Sequence, residues 1–118
     1  GSEMCIETGI EIAQAALVRF RAFPGIEAVQ GAPDNVEVPA AGVDKGTALL
    51  ALADRLGIPR EATLAIGDSD NDRAMLARAG VAAVMANALP EIRALGDIVS
   101  TRDNDHDGVA ELFERLGL

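Results

Sequence analysis

One segment sets the architecture: Thr63-Leu64-Ala65-Ile66-Gly67-Asp68-Ser69-Asp70-Asn71-Asp72, an apolar run that ends in a turn with three carboxylates. The run has the length of a buried strand, and a glycine marks its end. A helix is predicted from about Asn71 to Ala79, where Gly80 stops it. The segment therefore predicts a strand, an acidic turn and a helix.

Strands and helices continue to alternate on both sides of this unit. Upstream, Leu49, Leu52 and Leu56 form a helical stripe that Gly57 closes. Downstream, the pattern predicts a strand, a short helix, a further strand and a last helix, over residues 81–85, 90–96, 98–100 and 109–116. This alternation predicts an α/β fold in which helices cover a parallel, doubly wound sheet.

The first forty residues have a different character. Apolar residues at three- and four-residue steps predict a helix from Ile10 to Phe20. Two β-like pieces, 25–30 and 35–38, flank a turn at 31–34 and predict a hairpin. We therefore divide the chain into a helix-plus-hairpin piece, residues 1–40, and part of an α/β domain, residues 41–118.

Composition excludes several classes of function. The 118 residues are one domain's length, and a net charge of −9 repels a nucleic-acid backbone. Without Trp or Tyr, the chain also lacks the usual base-stacking platforms. The apolar stretch 81–86 is far too short to span a membrane. We therefore expect a globular protein that binds neither nucleic acid nor membrane.

The cellular compartment is predicted from two features. The N-terminal residues have neither a basic region nor the apolar core of a signal peptide. Cys5 is the only cysteine in the sequence, so no internal disulfide can form. Both features favour the cytoplasm.

The acidic turn predicts a cation site. Asp68, Asp70 and Asp72 follow a strand end, where ligands bind in open α/β sheets. Crowded carboxylates repel one another, and a hard divalent cation such as Mg²⁺ relieves that repulsion. The alternative is structural, because Ser69 and Asp72 have the spacing of a helix capping box and Asp70 suits a solvated position.

Lys45, the only lysine, begins the helix that Asp44 caps. A cation there opposes the helix dipole, and Gly46 in the first turn weakens the helix further. Local rules broken in this way often mark functional sites, and an ammonium would neutralise an acidic cluster or a phosphate. The alternative is an ordinary solvated lysine.

A calcium-loop pattern runs from Asp103 to Glu114, with Gly108 at its sixth position. A helix should precede such a loop, whereas residues 98–100 predict a strand. We therefore do not expect a calcium site. His106 lies among acids and is expected to be solvated, and one His with one Cys cannot assemble a zinc site.

Four segments together resemble the C-terminal half of haloacid dehalogenase (HAD) superfamily phosphatases, most closely the Cof-type sugar-phosphatase branch. They are Gly42-Val43-Asp44-Lys45-Gly46-Thr47-Ala48-Leu49, Ile66-Gly67-Asp68-Ser69-Asp70-Asn71-Asp72, Met85-Ala86-Asn87-Ala88 and Asp107-Gly108-Val109-Ala110. The resemblance covers about residues 35–118 and implies part of a HAD-like Rossmann-type core. Residues 1–40 resemble the tail of that branch's α/β cap.

The resemblance implies a role for each matching residue. Lys45 would hold the substrate phosphate and the carboxylate of the nucleophile. Asp68 would ligate Mg²⁺, Asp72 would do so directly or through water, and Asn71 would help to orient the phosphate. The implied activity is magnesium-dependent hydrolysis of a phosphomonoester, with a small phosphorylated metabolite as substrate.

The sequence departs from the family pattern in one respect. The family's nucleophilic aspartate lies in an Asp-x-Asp-x-Thr segment ahead of the cap, and these 118 residues contain no such segment. Asp105-His106-Asp107-Gly108 is superficially similar but follows polar residues rather than a buried strand. We therefore expect the isolated chain to be inactive. The alternative function is a non-catalytic metal- or phosphate-binding remnant, or half of a split protein.

One further expectation concerns self-association. A parallel sheet without its leading strands exposes an unpaired edge, and such an edge is a template for another chain. We expect a second copy to pair there.

Overall fold

The computed structural model describes residues 4–118, so residues 1–3 of the predicted first piece lie outside it. Its strands are β1 (Met4–Glu7), β2 (Asn35–Val38), β3 (Leu64–Gly67), β4 (Val81–Val84) and β5 (Ile98–Val99). Its α-helices are α1 (Ile10–Arg21), α2 (Lys45–Arg55), α3 (Arg73–Arg78), α4 (Pro90–Arg93) and α5 (Gly108–Leu116). Short 3₁₀ turns cover Arg60–Ala62 and Asp70–Asp72.

The predicted α/β fold with a parallel sheet is confirmed. The strands lie in the order β3-β4-β5 and run parallel, with Leu64 opposite Val81 and Ala83 opposite Ile98. Within the part of the chain that the structure describes, β3 pairs on one side only. Self-association through the other side of β3 stays a prediction.

Helices cover both faces of this sheet. Successive side chains of a strand point to opposite faces, so each strand has apolar side chains to bury on both sides. One face packs Ala65, Ala82 and Val84 against α3 and α4, where Leu76 and Ile92 are buried. The other face is buried chiefly against α5, in a cluster that contains Ala83, Met85 and Leu112. Burial on both sides explains why residues 81–85 form a continuous apolar run rather than an alternating one.

The N-terminal unit, which we define as residues 4–40, has its own small core. Helix α1 packs Ala13 and Leu17 on Val36 of the β1–β2 sheet, and Ala28 joins the same cluster. The strands β1 and β2 are antiparallel.

The predicted hairpin is only partly correct. Residues 25–30 form no strand and contact the β2 segment through two isolated bridges, Ile26 with Ala40 and Val29 with Glu37. The regular partner of β2 is β1, which the sequence pattern did not predict. Met4, Cys5 and Ile6 are all apolar, so this stretch shows no alternation of apolar and polar residues.

The predicted stripe on α2 needs a correction as well. The helix is present, but Leu52 and Leu56 are exposed. Its inward face consists of Gly46, Leu49 and Ala53, because these residues face α3 and the core. In the described residues, no helix is both long and apolar enough to cross a membrane.

The carboxylate of Glu111 joins α5 to the segment that follows β5. It accepts hydrogen bonds from the Thr101 hydroxyl (2.6 Å), the Thr101 N–H (2.8 Å) and the Arg102 N–H (3.0 Å). Arg115 donates to it as well, at 3.1 Å. These donors, led by the Thr101 hydroxyl, lower the pKa of Glu111 from 4.5 to about 2.

The lowered pKa of Glu111 is therefore expected to make the free energy of unfolding depend on pH at acidic pH values. A lowered carboxyl pKa stabilises the fold fully above about pH 4.5, and this contribution is lost as the pH falls towards about 2. Urea denaturation should show a lower midpoint for Glu111→Gln than for the wild type at pH 6, and a smaller difference at pH 3. The control is Glu114→Gln, which removes an exposed carboxylate from the same helix. A difference that does not change with pH would contradict the assignment.

Candidate active site

The acidic turn lies at the carboxyl end of β3, and Asp72 organises it. The Asp72 side chain points back under the turn, where its Oδ2 accepts hydrogen bonds from the N–H groups of Asp68 (3.1 Å) and Ser69 (3.3 Å). Asp72 is buried, with 7% of its surface exposed. The capping role that the sequence left open for this residue is therefore present.

Asp72 also binds the lone lysine. Lys45 Nζ donates to Asp72 Oδ1 at 2.6 Å, while the Lys45 side chain stays about half exposed (48%). One end of the ion pair is thus buried and the other faces solvent. This contact joins residues 27 positions apart and brings together two of the predicted site residues.

The close approach of α2 and α3 explains how Lys45 reaches Asp72. A Cβ atom on Gly46 would lie 2.5 Å from the Ala74 carbonyl oxygen, so only glycine permits this packing. Asp44 caps α2 by accepting from the Thr47 N–H at 2.8 Å. The Gly46 position that looks unfavourable for an isolated helix is therefore explained by contact with a second helix.

Asp68 belongs to a different part of the turn. Its Oδ1 accepts from the Ser69 hydroxyl at 2.8 Å, and its Oδ2 accepts from Asn87 Nδ2 at 3.0 Å. Asn87 follows β4, so the carboxyl ends of two neighbouring strands meet here. Sequence reasoning gave Asn87 no separate role, although its position after the next strand was a usable signal.

Asp70 and Asn71 face the N-terminal unit. Asp70 accepts from Arg21 and Arg73, each at 3.2 Å, so it is not simply solvated. Asn71 donates its backbone N–H to the Gln30 carbonyl at 3.1 Å and its Nδ2 to Glu37 at 3.0 Å. The sequence did not single out Arg21 or Glu37, because both lie more than 30 positions from their partners.

A cavity of about 520 Å³ lies between the N-terminal unit and helices α2 and α3. Lys45 and Asn71 line it together with Arg21 and Glu37, whereas neither Asp68 nor Asp72 does. Most of the surface that lines the cavity is apolar, and a few charged side chains of both signs lie among it. This combination is typical of small-molecule sites.

The acidic turn fits a magnesium ion in its donor chemistry but offers few ligands. Over residues 4–118, no three or more His, Cys, Asp or Glu side chains are grouped to hold a metal. Mg²⁺ commonly uses only one or two protein carboxylates and keeps several waters. Asp72 already accepts three hydrogen bonds and Asp68 accepts two, out of about four that a carboxylate offers. Asp68 therefore fits a direct ligand better, and Asp72 fits a contact through water.

The loop at 103–107 is held by its own hydrogen bonds. A strand, β5, precedes it, as expected, rather than the helix that a calcium loop requires. Asp103 bonds the exposed His106 ring; that hydrogen bond raises the pKa of His106 and lowers that of Asp103. Asp107 begins α5 with a left-handed backbone, φ 61°. The Asp103 carboxylate therefore has a structural role within the loop.

The fold and this turn define a class of α/β hydrolase whose polar residues gather at the carboxyl ends of parallel strands. Residues 6–113 match the sequence family of haloacid dehalogenase-like hydrolases. The chain belongs to this family, and the predicted membership is confirmed.

Three similar proteins illustrate the relationship. Phosphatase YwpJ of Bacillus subtilis (strain 168) is 39% identical over 103 residues, which are 87% of this chain and 36% of that protein. The solved structure of a haloacid dehalogenase-like hydrolase from B. subtilis has a TM-score of 0.86 and 35% identity, over 97% of this chain and 40% of that one. The HAD subclass IIB sugar phosphatase BT4131 has a TM-score of 0.81 and 26% identity, over 98% and 43%. The chain thus spans about two fifths of the length of these relatives.

Substitutions of Asp72 and Asp70 should differ sharply in their effect on stability. Asp72→Asn removes the charge from a buried group with three donors, and hydrogen bonds to charged groups contribute about 1.5–3 kcal/mol each. We expect it to lower the free energy of unfolding by about 2 kcal/mol. Asp70→Asn weakens only more exposed ion pairs and should cost about 1 kcal/mol or less. Urea denaturation of both variants tests this prediction. Equal losses in the free energy of unfolding would contradict the conclusion that Asp72 organises the turn.

Proposed function

We propose that the protein is a magnesium-dependent phosphatase that hydrolyses a phosphomonoester through an aspartyl-phosphate. In this proposal the chain supplies the electrostatic half of the site. The observation that supports it best is the contact of Lys45 Nζ with Asp72 Oδ1, which holds a half-exposed cation at the strand end. Positioned charge of this kind stabilises the charge that a transferring phosphoryl group develops.

Each predicted site residue has a role in this proposal. Lys45 binds the substrate phosphate. The buried Asp72 carboxylate fixes the position of the Lys45 ammonium, and the half of the Lys45 side chain that remains exposed is free to contact the phosphate. Asn71 lines the cavity and orients the phosphate through its amide donors. Asp68 holds the metal directly and Asp72 assists through water; the ion, when bound, neutralises charge on the phosphoryl oxygens.

The nucleophile is proposed to lie in the part of the parent protein that this chain does not span. These 118 residues contain no Asp-x-Asp-x-Thr segment, and the chain covers about two fifths of its relatives. Among the described residues β3 pairs on one side only, and the acidic turn follows its carboxyl end. A parallel strand of the parent protein that paired with the other side of β3 would end near this turn. We assign residues 1–40 to the tail of a cap and residues 41–118 to the core.

A small phosphorylated metabolite is the proposed substrate. The cavity of about 520 Å³ has the size of a small-molecule site, and Lys45 and Asn71 in its lining offer donors to a phosphate. The sugar phosphatase among the similar structures is consistent with such a ligand. Cytoplasmic location is proposed on the single cysteine of the sequence.

Phosphatase assays test the proposal. We expect the purified 118-residue chain to show no appreciable turnover of p-nitrophenyl phosphate or of a panel of sugar phosphates, because loss of a nucleophile removes nearly all of a catalytic unit's effect. The parent protein should hydrolyse at least one of these substrates with Mg²⁺ and stop on addition of a chelator. Asp68→Asn and Lys45→Ala in the parent should each lower kcat by about 10²-fold or more.

The control for these variants is Asp54→Asn, an exposed carboxylate on α2 whose loss should leave turnover unchanged. Magnesium-dependent turnover by the 118-residue chain alone, lost on Asp105→Asn, would contradict the proposal and place the nucleophile at residue 105. A parent protein that binds phosphate without any turnover would favour the non-catalytic alternative.

A further inference from the structure

We propose that Glu37 is a positioning residue for Asn71: its carboxylate fixes the orientation of the carboxamide that faces the cavity. The inference rests on the proposed function, in which Asn71 orients the phosphate. Neither the capping pattern nor the family resemblance pointed to Glu37. What identifies it is a contact between side chains 34 positions apart, Asn71 Nδ2 to Glu37 Oε1 at 3.0 Å.

The chemistry of the pair selects one of the two amide orientations. An ionised carboxylate only accepts hydrogen bonds, so the nitrogen end of the carboxamide must face Glu37. The flipped amide would place two acceptors against each other. Because the amide nitrogen carries two N–H groups, one can bind Glu37 while the other remains for a second acceptor, such as a phosphate oxygen. Glu37 would thus leave Asn71 with a donor of defined direction.

The support behind Glu37 is rigid. The residue lies in β2, in register with Cys5 of β1, so one side of its backbone belongs to the small sheet. On the other side it exchanges two backbone hydrogen bonds with Val29, at 2.8 and 2.9 Å. The backbone from which the Glu37 side chain extends is therefore held by neighbours on both sides.

Asn71 is held from the same unit at a second point. Its backbone N–H donates to the Gln30 carbonyl at 3.1 Å, next to the Glu37 contact. A Cβ atom on Gly31 would lie 2.9 Å from Glu37 Oε1 and 3.0 Å from Asn71 Nδ2, so a side chain at position 31 would displace this pair. Backbone and side chain of Asn71 are thus both fixed by residues of the N-terminal unit.

Hydrogen exchange in the wild-type chain gives the first test. The Asn71 Nδ2–H that faces Glu37, assigned by the loss of the side-chain signals in Asn71→Ala, should exchange with solvent at least about tenfold slower than the side-chain N–H groups of the exposed Gln14. The measurement needs neither metal nor turnover, so its failure is distinguishable from the failure of the proposed phosphatase. Equal exchange rates for Asn71 and Gln14 would overturn the inference.

Variants separate positioning from a structural role. Glu37→Ala should move the Asn71 side-chain amide resonances to the chemical shifts of a solvated amide. Glu37→Gln keeps an acceptor oxygen, so the Asn71 chemical shifts should stay close to those of the wild type. Glu7→Ala, which removes an exposed carboxylate from the neighbouring strand, is the matched control and should change nothing. Unchanged Asn71 resonances in folded Glu37→Ala would overturn the inference, as would equal changes in Glu7→Ala.

Kinetics of the parent enzyme complete the design. Glu37→Ala should lower kcat/KM by about tenfold, and Glu37→Gln should restore most of it. Protection of the Asn71 backbone amide reports whether each variant keeps the docked fold. Wild-type kinetics in Glu37→Ala would overturn the positioning role even if the side-chain resonances had moved.

Discussion

The contact between Lys45 and Asp72 ties together the elements on which the site depends. This contact holds the first turn of α2 against the turn that follows β3. The helices can approach this closely because residue 46 is glycine, since a Cβ atom there would clash with the Ala74 carbonyl oxygen. Because Asp72 is buried and also accepts two backbone N–H groups, it fixes the shape of the acidic turn at the same time. The position of the half-exposed ammonium and the backbone conformation at Asp68 and Ser69 both depend on this carboxylate.

Three carboxylates that look equivalent in the sequence have three different environments. Asp72 points inward to a cation and to backbone donors, Asp68 points across to the next strand end, and Asp70 points outward to two arginines. A count of acids therefore overstates the number of metal ligands. Asp68 and Asp70 are both partly exposed and each accepts two hydrogen bonds, but both partners of Asp70 are arginine cations, whereas those of Asp68 are neutral. Asp68 is therefore the carboxylate that best fits the few protein ligands that Mg²⁺ requires.

Most of the features that were predicted correctly depend on residues that are neighbours in the sequence. The strand, turn and helix at 63–79 and the cap of α2 by Asp44 depend on neighbouring residues, so pattern and spacing sufficed. The role of Gly46 depends on Ala74 of another helix, and Glu37 and Arg21 meet the turn only after the chain has folded back on itself. Strand β1 was missed because its apolar and polar residues do not alternate. The family resemblance supplied the residue roles, which contacts alone do not assign.

In the function proposed for this chain, the acidic turn after β3 is the cation-binding end of a phosphatase site. Paramagnetic broadening by Mn²⁺ in amide NMR spectra of the 118-residue chain is a direct test. We expect broadening centred on residues 67–72, lost in Asp68→Asn and retained in Asp105→Asn. Broadening centred on residues 103–114 would contradict it and restore the calcium-type loop as the metal site.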